Sequence, residues 1–168
     1  MSVLNFIKTI PNFPKEGILF QDFSPVFQNH FSELIEECAD CILEIEQIDY
    51  FVGIESRGFI IASALAQKFN KGFTMIRKQG KLPPPKLSKQ YQLEYGTDTI
   101  EMQTTQNNRK NKICIIDDVL ATGGTMEASC QLATACGYNI TQIFCILNIQ
   151  ALNNFEFNGI KPKFLKII

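Results

Sequence analysis

The sequence predicts an α/β protein built on a parallel sheet flanked by helices. Two observations lead there. Short runs rich in β-branched and aromatic residues, at 50–54, 73–76, 112–116 and 140–147, alternate with segments of helical periodicity. Polar stretches of small and charged residues follow these runs directly, where an open parallel sheet binds its ligands.

Val3, Leu4, Phe6 and Ile7 predict a short helix over residues 2–9. Pro11-Asn-Phe-Pro14 stops it, and an irregular segment is expected through Pro25. From His30 to Gln47 the residues Phe31, Leu34, Ile35, Cys38, Ile42 and Ile45 recur at helical spacing. Tyr50 to Ile54 then reads as a strand, Gly58 to Phe69 as a helix, and Phe73 to Ile76 as a second strand. Residues 77–112 interrupt the rhythm. Arg77 to Lys89 holds five basic residues and no acid, with Pro83, Pro84 and Pro85 at its middle. Tyr91–Glu94 and Thr99–Gln103 flank Tyr95-Gly-Thr-Asp98, which predicts a β-hairpin outside the core sheet. Lys112 to Ile116 is the third strand, Met126 to Cys136 a helix and Ile140 to Leu147 the fourth strand.

At 168 residues the chain suits a single domain. Its 45% hydrophobic and 20% charged residues are an ordinary globular composition, and the net charge of −1 argues against nucleic acid or a membrane surface as partner. No apolar run reaches the length of a membrane span, so a cytoplasmic location is expected. The six cysteines form no disulfide framework and are expected as free, mostly buried thiols. Cys38-Ala-Asp-Cys41 has the spacing of a metal or redox pair, yet no second pair follows and the single histidine is His30.

Residues 113–125, Ile-Cys-Ile-Ile-Asp-Asp-Val-Leu-Ala-Thr-Gly-Gly-Thr, carry the most chemistry. Ile113 to Ile116 read as a strand buried on both faces, which Asp117 and Asp118 end. Two carboxylates at a strand end are costly unless solvent, metal or ligand hydroxyls meet them. Ala121, Thr122, Gly123, Gly124 and Thr125 then offer backbone N–H groups, two hydroxyls and no bulk, opening onto a helix N-terminus that favours anions. A Gly-Gly pair alone would be an ordinary turn; the whole string points to a phosphate cradle. Two further stretches end strands: Gly53-Ile-Glu-Ser-Arg-Gly58, with Arg57, and Arg77-Lys78-Gln-Gly-Lys81. Together the three describe a site for a polyanion.

The Asp-Asp-Val-Leu-Ala-Thr-Gly-Gly-Thr string resembles the 5-phosphoribosyl-1-pyrophosphate motif of the type I phosphoribosyltransferases. Phe13-Pro-Lys-Glu-Gly-Ile-Leu-Phe20, Gly53-Ile-Glu-Ser-Arg-Gly-Phe59, Arg77-Lys-Gln-Gly-Lys-Leu-Pro83 and Leu93-Glu-Tyr-Gly-Thr-Asp98 are similar to segments of the members that act on adenine, in the same order, over roughly residues 11 to 147. The resemblance implies one domain over 1–168, with an N-terminal hood segment at 1–28 and a flexible catalytic loop and hairpin at 77–105. It implies transfer of the phosphoribosyl group to adenine, giving AMP and pyrophosphate, with Mg2+ carried by the substrate near Asp117 and Asp118, and a homodimer as the usual state. By the same resemblance Asp117 and Asp118 meet the ribose hydroxyls, and Ala121 to Thr125 hold the 5′-phosphate. Arg57, Lys78 and Lys81 match positions associated with the pyrophosphate. Phe20 matches the aromatic residue that stacks on adenine, and Leu19 the residue whose backbone reads its edge. Glu94 matches the catalytic glutamate, with Tyr95 beside it. Gln21 stands where the family usually has Arg or Lys, and Asn148 to Phe157 lack the charged run expected there. Two alternatives stay open: a phosphoribosyltransferase for another purine such as xanthine, and a phosphoribosyl-pyrophosphate-binding regulator without catalysis. Lys86 and Lys89 are expected in solvent, and His30 near a helix start without chemistry.

Overall fold

A computed structural model describes residues 2–93, 96–104 and 111–168. Its contacts divide the chain into two compact units, residues 1–40 and 41–168.

The first unit opens with a 3₁₀ turn at Val3–Phe6, not a helix through residue 9. The chain extends at once into β1 (Lys8–Pro11), which pairs antiparallel with β2 (Leu19–Asp22). The segment read as irregular therefore holds a strand. It also holds the start of α1 (Ser24–Asn29), where Pro25 sits in the first turn and needs no N–H partner. His30 separates α1 from α2 (Phe31–Cys41), and the helix read from His30 to Gln47 stops at Cys41, with only a 3₁₀ turn at Ile45–Gln47 beyond it. The His30 ring stacks on Phe6 with centroids 4.1 Å apart. Helical spacing persists past Cys41, but Glu44 takes a left-handed φ of 50°. The buried Gln142 amide also takes both the N–H and the C=O of Leu43, which are thereby lost to a helix.

The second unit is a seven-stranded mixed sheet. Its strands are β3 (Tyr50–Ile54), β4 (Gly72–Lys78), β5 (Lys86–Leu93), β6 (Gly96–Gln103), β7 (Lys112–Leu120), β8 (Asn139–Asn148) and β9 (Lys163–Ile167), in the order β5-β6-β4-β3-β7-β8-β9. The five strands from β4 to β9 run parallel. α3 (Arg57–Lys68) links β3 to β4 and turns Ile61, Ala62, Leu65 and Ala66 inward at i, i+1, i+4 and i+5. Full burial of Ile61 and Leu65 is worth about 1.5–3 kcal/mol each. α4 (Gly124–Ala135) links β7 to β8, and its buried residues cluster with Val52, Ile54, Ile113 and Ile115. Strand alternation sends Phe51, Cys114 and Ile116 to the opposite face, the side of α3.

Three strand expectations need correction. β7 does not end at the two aspartates but runs on to Leu120, because β8 supplies partners as far as Asn148. The hairpin is not outside the core sheet: β6 pairs antiparallel with β4, matching Ile76 to Met102 and Lys78 to Ile100. Its alternation buries Ile100 and Met102 and covers an otherwise open edge. β9 was not expected at all; with Lys163 and Lys166 in five residues it has the composition of a solvated tail. Lys86 is not in solvent either, since its Nζ lies 2.7 Å from the buried Glu101 carboxylate. The six cysteines are free thiols, all buried except Cys41. No described helix is long and apolar enough to cross a membrane.

Candidate active site

The site residues of the second unit gather at the carboxyl ends of β3, β4 and β7. β3 and α3 can approach closely only because Gly53 and Gly58 nest against each other. A Cβ on Gly53 would lie 2.8 Å from the Gly58 carbonyl oxygen, and one on Gly58 would lie 2.6 Å from the Ile116 carbonyl oxygen. That contact brings Arg57, the first residue of α3, to the end of β7. Its Nε lies 2.5 Å from Asp118 Oδ2, a buried atom that accepts no hydrogen bond among the described residues. The contact is an ion pair without hydrogen-bond alignment. Asp118 therefore meets a cation at its carboxylate while its backbone N–H donates to Asp117 Oδ1 at 2.9 Å.

The Arg57 guanidinium acts on Asp117 as well, but it is the smallest of the influences there. Burial, then the adjacent Asp118 charge, pushes its carboxyl well above the ordinary carboxylate range. The folded protein thus holds this proton more tightly than the unfolded chain. That contribution to stability is fully present below the ordinary carboxyl pKa, about 4, and is lost as pH rises through the raised value. Asp117→Asn keeps the acceptor for Asp118 and removes the burdened charge. At pH 7 its unfolding midpoint is expected to rise by roughly 2–4 °C per kcal/mol recovered, with a flatter dependence on pH. Calorimetric scans from pH 4 to 8 check this, and a lowered midpoint at pH 7 counts against it.

Past Leu120 the chain forms the cradle. Asp117, Leu120, Ala121, Thr122, Gly123 and Thr125 line an open pocket of about 90 Å³. Gly123 precedes α4 with φ 89°, a left-handed conformation that glycine adopts without strain. The first N–H groups of α4 have no partner within the helix, and such a helix start favours an anion. Asn153 braces the loop from behind, its Nδ2 donating to the Ala121 carbonyl at 2.6 Å and to Asn148 Oδ1 at 3.0 Å. Phe155 packs 3.3 Å from where a Gly123 Cβ would stand. Nothing in Asn153-Asn-Phe155 marks these supports in the sequence.

The basic stretch is gathered by Glu55, a nearly buried carboxylate next to a cis Glu55–Ser56 peptide. It accepts from the Lys78 N–H at 2.9 Å and from Arg77 Nε at 3.3 Å, and it pairs with Lys81 Nζ. Burial alone would push Glu55 up, but Lys81, the Lys78 N–H and Arg77 outweigh it and hold it below its ordinary value. Lys78, the last residue of β4, places its Nζ on Asp98 and 3.3 Å from the Tyr91 hydroxyl. Thr125 of the cradle donates to that same hydroxyl at 3.4 Å. Glu55, Tyr91 and Asp98 are thus site residues that sequence reasoning missed. Tyr91 and Asp98 stand beside the expected glutamate, and Glu55 stands within a quoted motif.

Glu94 and Tyr95 lie outside the described residues. In the first unit, Leu19 is 61% exposed on β2, while Phe20 is half-buried and meets Phe13 edge to face at 5.0 Å.

A family model described as the phosphoribosyl transferase domain matches residues 28–151. The chain is 47% identical over 156 residues to the adenine phosphoribosyltransferase of Hydrogenovibrio crunogenus, covering 92% of this chain and 89% of that one. It is similar to the crystal structure of the adenine phosphoribosyltransferase from Thermoanaerobacter pseudethanolicus, with a TM-score of 0.92 and 34% identity over 99% of this chain and 98% of that one. The Saccharomyces cerevisiae adenine phosphoribosyltransferase, solved with an imino-altritol bisphosphate and adenine, matches with a TM-score of 0.82 and 34% identity over 95% and 93% of the two chains.

Proposed function

Because this chain belongs to the phosphoribosyl transferase domain family and groups there with the adenine phosphoribosyltransferases, we propose that it transfers the 5-phosphoribosyl group from 5-phosphoribosyl-1-pyrophosphate to adenine. The products are AMP and pyrophosphate, the chemistry of purine salvage. The observation that supports the division of labour is the convergence of a carboxylate pair, a phosphate-sized cradle and the Arg57 guanidinium at one end of β7.

In this reading the N–H groups and hydroxyls from Ala121 to Thr125 hold the donor's 5′-phosphate, and Asp117 and Asp118 accept hydrogen bonds from the ribose hydroxyls. Arg57, Lys78 and Lys81 bind the pyrophosphate and stabilise the charge that grows on it as it leaves. Adenine N9 attacks the anomeric carbon of ribose through a transition state with oxocarbenium character, so much of the protein's task is alignment. Leu19 reads the edge of adenine through its backbone and Phe20 stacks on its face. Glu94, with Tyr95 beside it, manages the proton the base must lose. Asp117 and Asp118 offer two neighbouring carboxylates, short of a full metal cage, which suits magnesium arriving on the donor rather than resident in the protein. Bound there, that ion would neutralise part of the pyrophosphate charge. The reading extends to an N-terminal hood segment at residues 1–28, a catalytic loop and hairpin at 77–105, a homodimer and a cytoplasmic location.

A base panel tests it. AMP and pyrophosphate should form with adenine and magnesium, and far more slowly with hypoxanthine, guanine or xanthine, or without magnesium. Turnover of xanthine in place of adenine would favour another purine as substrate. Donor binding with no turnover of any base would favour a regulator.

A further inference from the structure

Each basic side chain at the strand ends already holds a carboxylate of this same chain. Arg57 is on Asp118, Arg77 and Lys81 are on Glu55, and Lys78 is on Asp98. These pairings are not equivalent. Asp118 is 8% exposed and Glu55 12%, and each belongs to the turn or strand that forms the site. Asp98 is 29% exposed and comes from β6, on the hairpin. It also keeps other partners. Its Oδ1 accepts the Thr99 N–H at 2.8 Å, and its Oδ2 lies 3.4 Å from the Tyr91 hydroxyl. If Lys78 left, Asp98 would still have these two donors and water, so the exchange leaves no bare buried charge.

The same hydroxyl takes Thr125 at 3.4 Å. A group expected to hold the 5′-phosphate and one expected to hold the pyrophosphate therefore both rest on the Tyr91–Asp98 pair. An ammonium has three hydrogens, and Tyr91 and Asp98 take two of them on Lys78. A pyrophosphate bound to the remaining one would sit within a few ångströms of the Asp98 charge, an arrangement that like-charge repulsion opposes. Burial pulls the Lys78 ammonium down and pushes the Asp98 carboxyl up, yet their contact outweighs both. Lys78 ends above its ordinary value and Asp98 below it.

We propose that Asp98 is a built-in stand-in for the donor's pyrophosphate: its carboxylate occupies the Lys78 ammonium until pyrophosphate displaces it, and so sets donor affinity. This rests on the reading of Lys78 as a pyrophosphate ligand. Asp98 acts through Lys78 and does not touch the reacting atoms.

The test is calorimetric titration of magnesium pyrophosphate into wild type, Asp98→Asn, Lys78→Met and the double variant at low salt. Asp98→Asn should bind about two- to fivefold more tightly than wild type, the range for a partly exposed ion pair. In the Lys78→Met background the same change should give no gain. Equal or weaker binding by Asp98→Asn overturns the inference. A gain that persists without Lys78 also overturns it, because loss of negative charge alone would then explain the effect. A wild type that binds no pyrophosphate overturns the functional reading itself, which separates the two failures. Circular dichroism checks each fold, and Asp98→Ser removes the same charge should the asparagine variant misfold.

Discussion

Alanine at position 94 is expected to slow AMP formation about 10²- to 10⁴-fold, the range for loss of a general acid or base, while donor binding stays within about twofold. Glycosyl transfer to adenine needs an oxocarbenium-like ribose, a stabilised leaving group and removal of a proton from the base. In the proposed reading the cradle, both aspartates and the basic stretch serve the donor, which leaves the base to a carboxylate outside them. Asp118 is held by Arg57, and Glu55 by Arg77 and Lys81. Glu94 follows β5, whose Tyr91 already reaches the cradle through Thr125. Single-turnover rates with adenine, set beside calorimetric binding of the donor, measure the two effects separately. Rates equal to wild type would remove Glu94 from the mechanism.

Gly58→Ala is expected to weaken both the fold and the donor site, though it adds a single methyl group. Its Cβ would stand 2.6 Å from the Ile116 carbonyl oxygen and 3.3 Å from Asp117 Oδ1. The first of these is backbone in the middle of the sheet and cannot swing aside. α3 must move away from β7, at a cost of about 1–3 kcal/mol, or roughly 3–10 °C in Tm for a chain of this size. The same movement pulls Arg57 off Asp118, so pyrophosphate binding should fall as well. A thermal midpoint and an affinity both equal to wild type would show that α3 and β7 have room for the extra methyl group.

Strands β3, β4 and β8 and helices α3 and α4 were legible from periodicity, because each buries a continuous apolar run and ends in turn chemistry. The loop after β7 was legible for a different reason: small residues and two glycines behind a strand predict a tight turn into a helix, and Gly123 at φ 89° leads directly into α4. What stayed hidden depends on distant partners. β9 is visible only once β8 offers it an edge. The hairpin's place in the sheet depends on Ile76 meeting Met102. The end of β7 was misread because carboxylates suggest a loop until Arg57 is known to lie beside Asp118. Asn153 and Tyr91 belong to the same class, since neither side chain carries a local signal for the loop it supports.

The central pairing of the sheet also has a kinetic consequence. Tyr50 of β3 lies beside Ile113 of β7, so closing the middle of the sheet joins positions about sixty residues apart, and the entropy of that loop must be met before the pair rewards it. Arg57 and Asp118 stand on either side of this seam. During synthesis the first half leaves the ribosome well before its partner exists, and β3 with α3 must wait with apolar faces uncovered. The Arg57–Asp118 contact is therefore among the last features to form, and refolding followed by recovery of pyrophosphate binding should lag behind the appearance of helical signal.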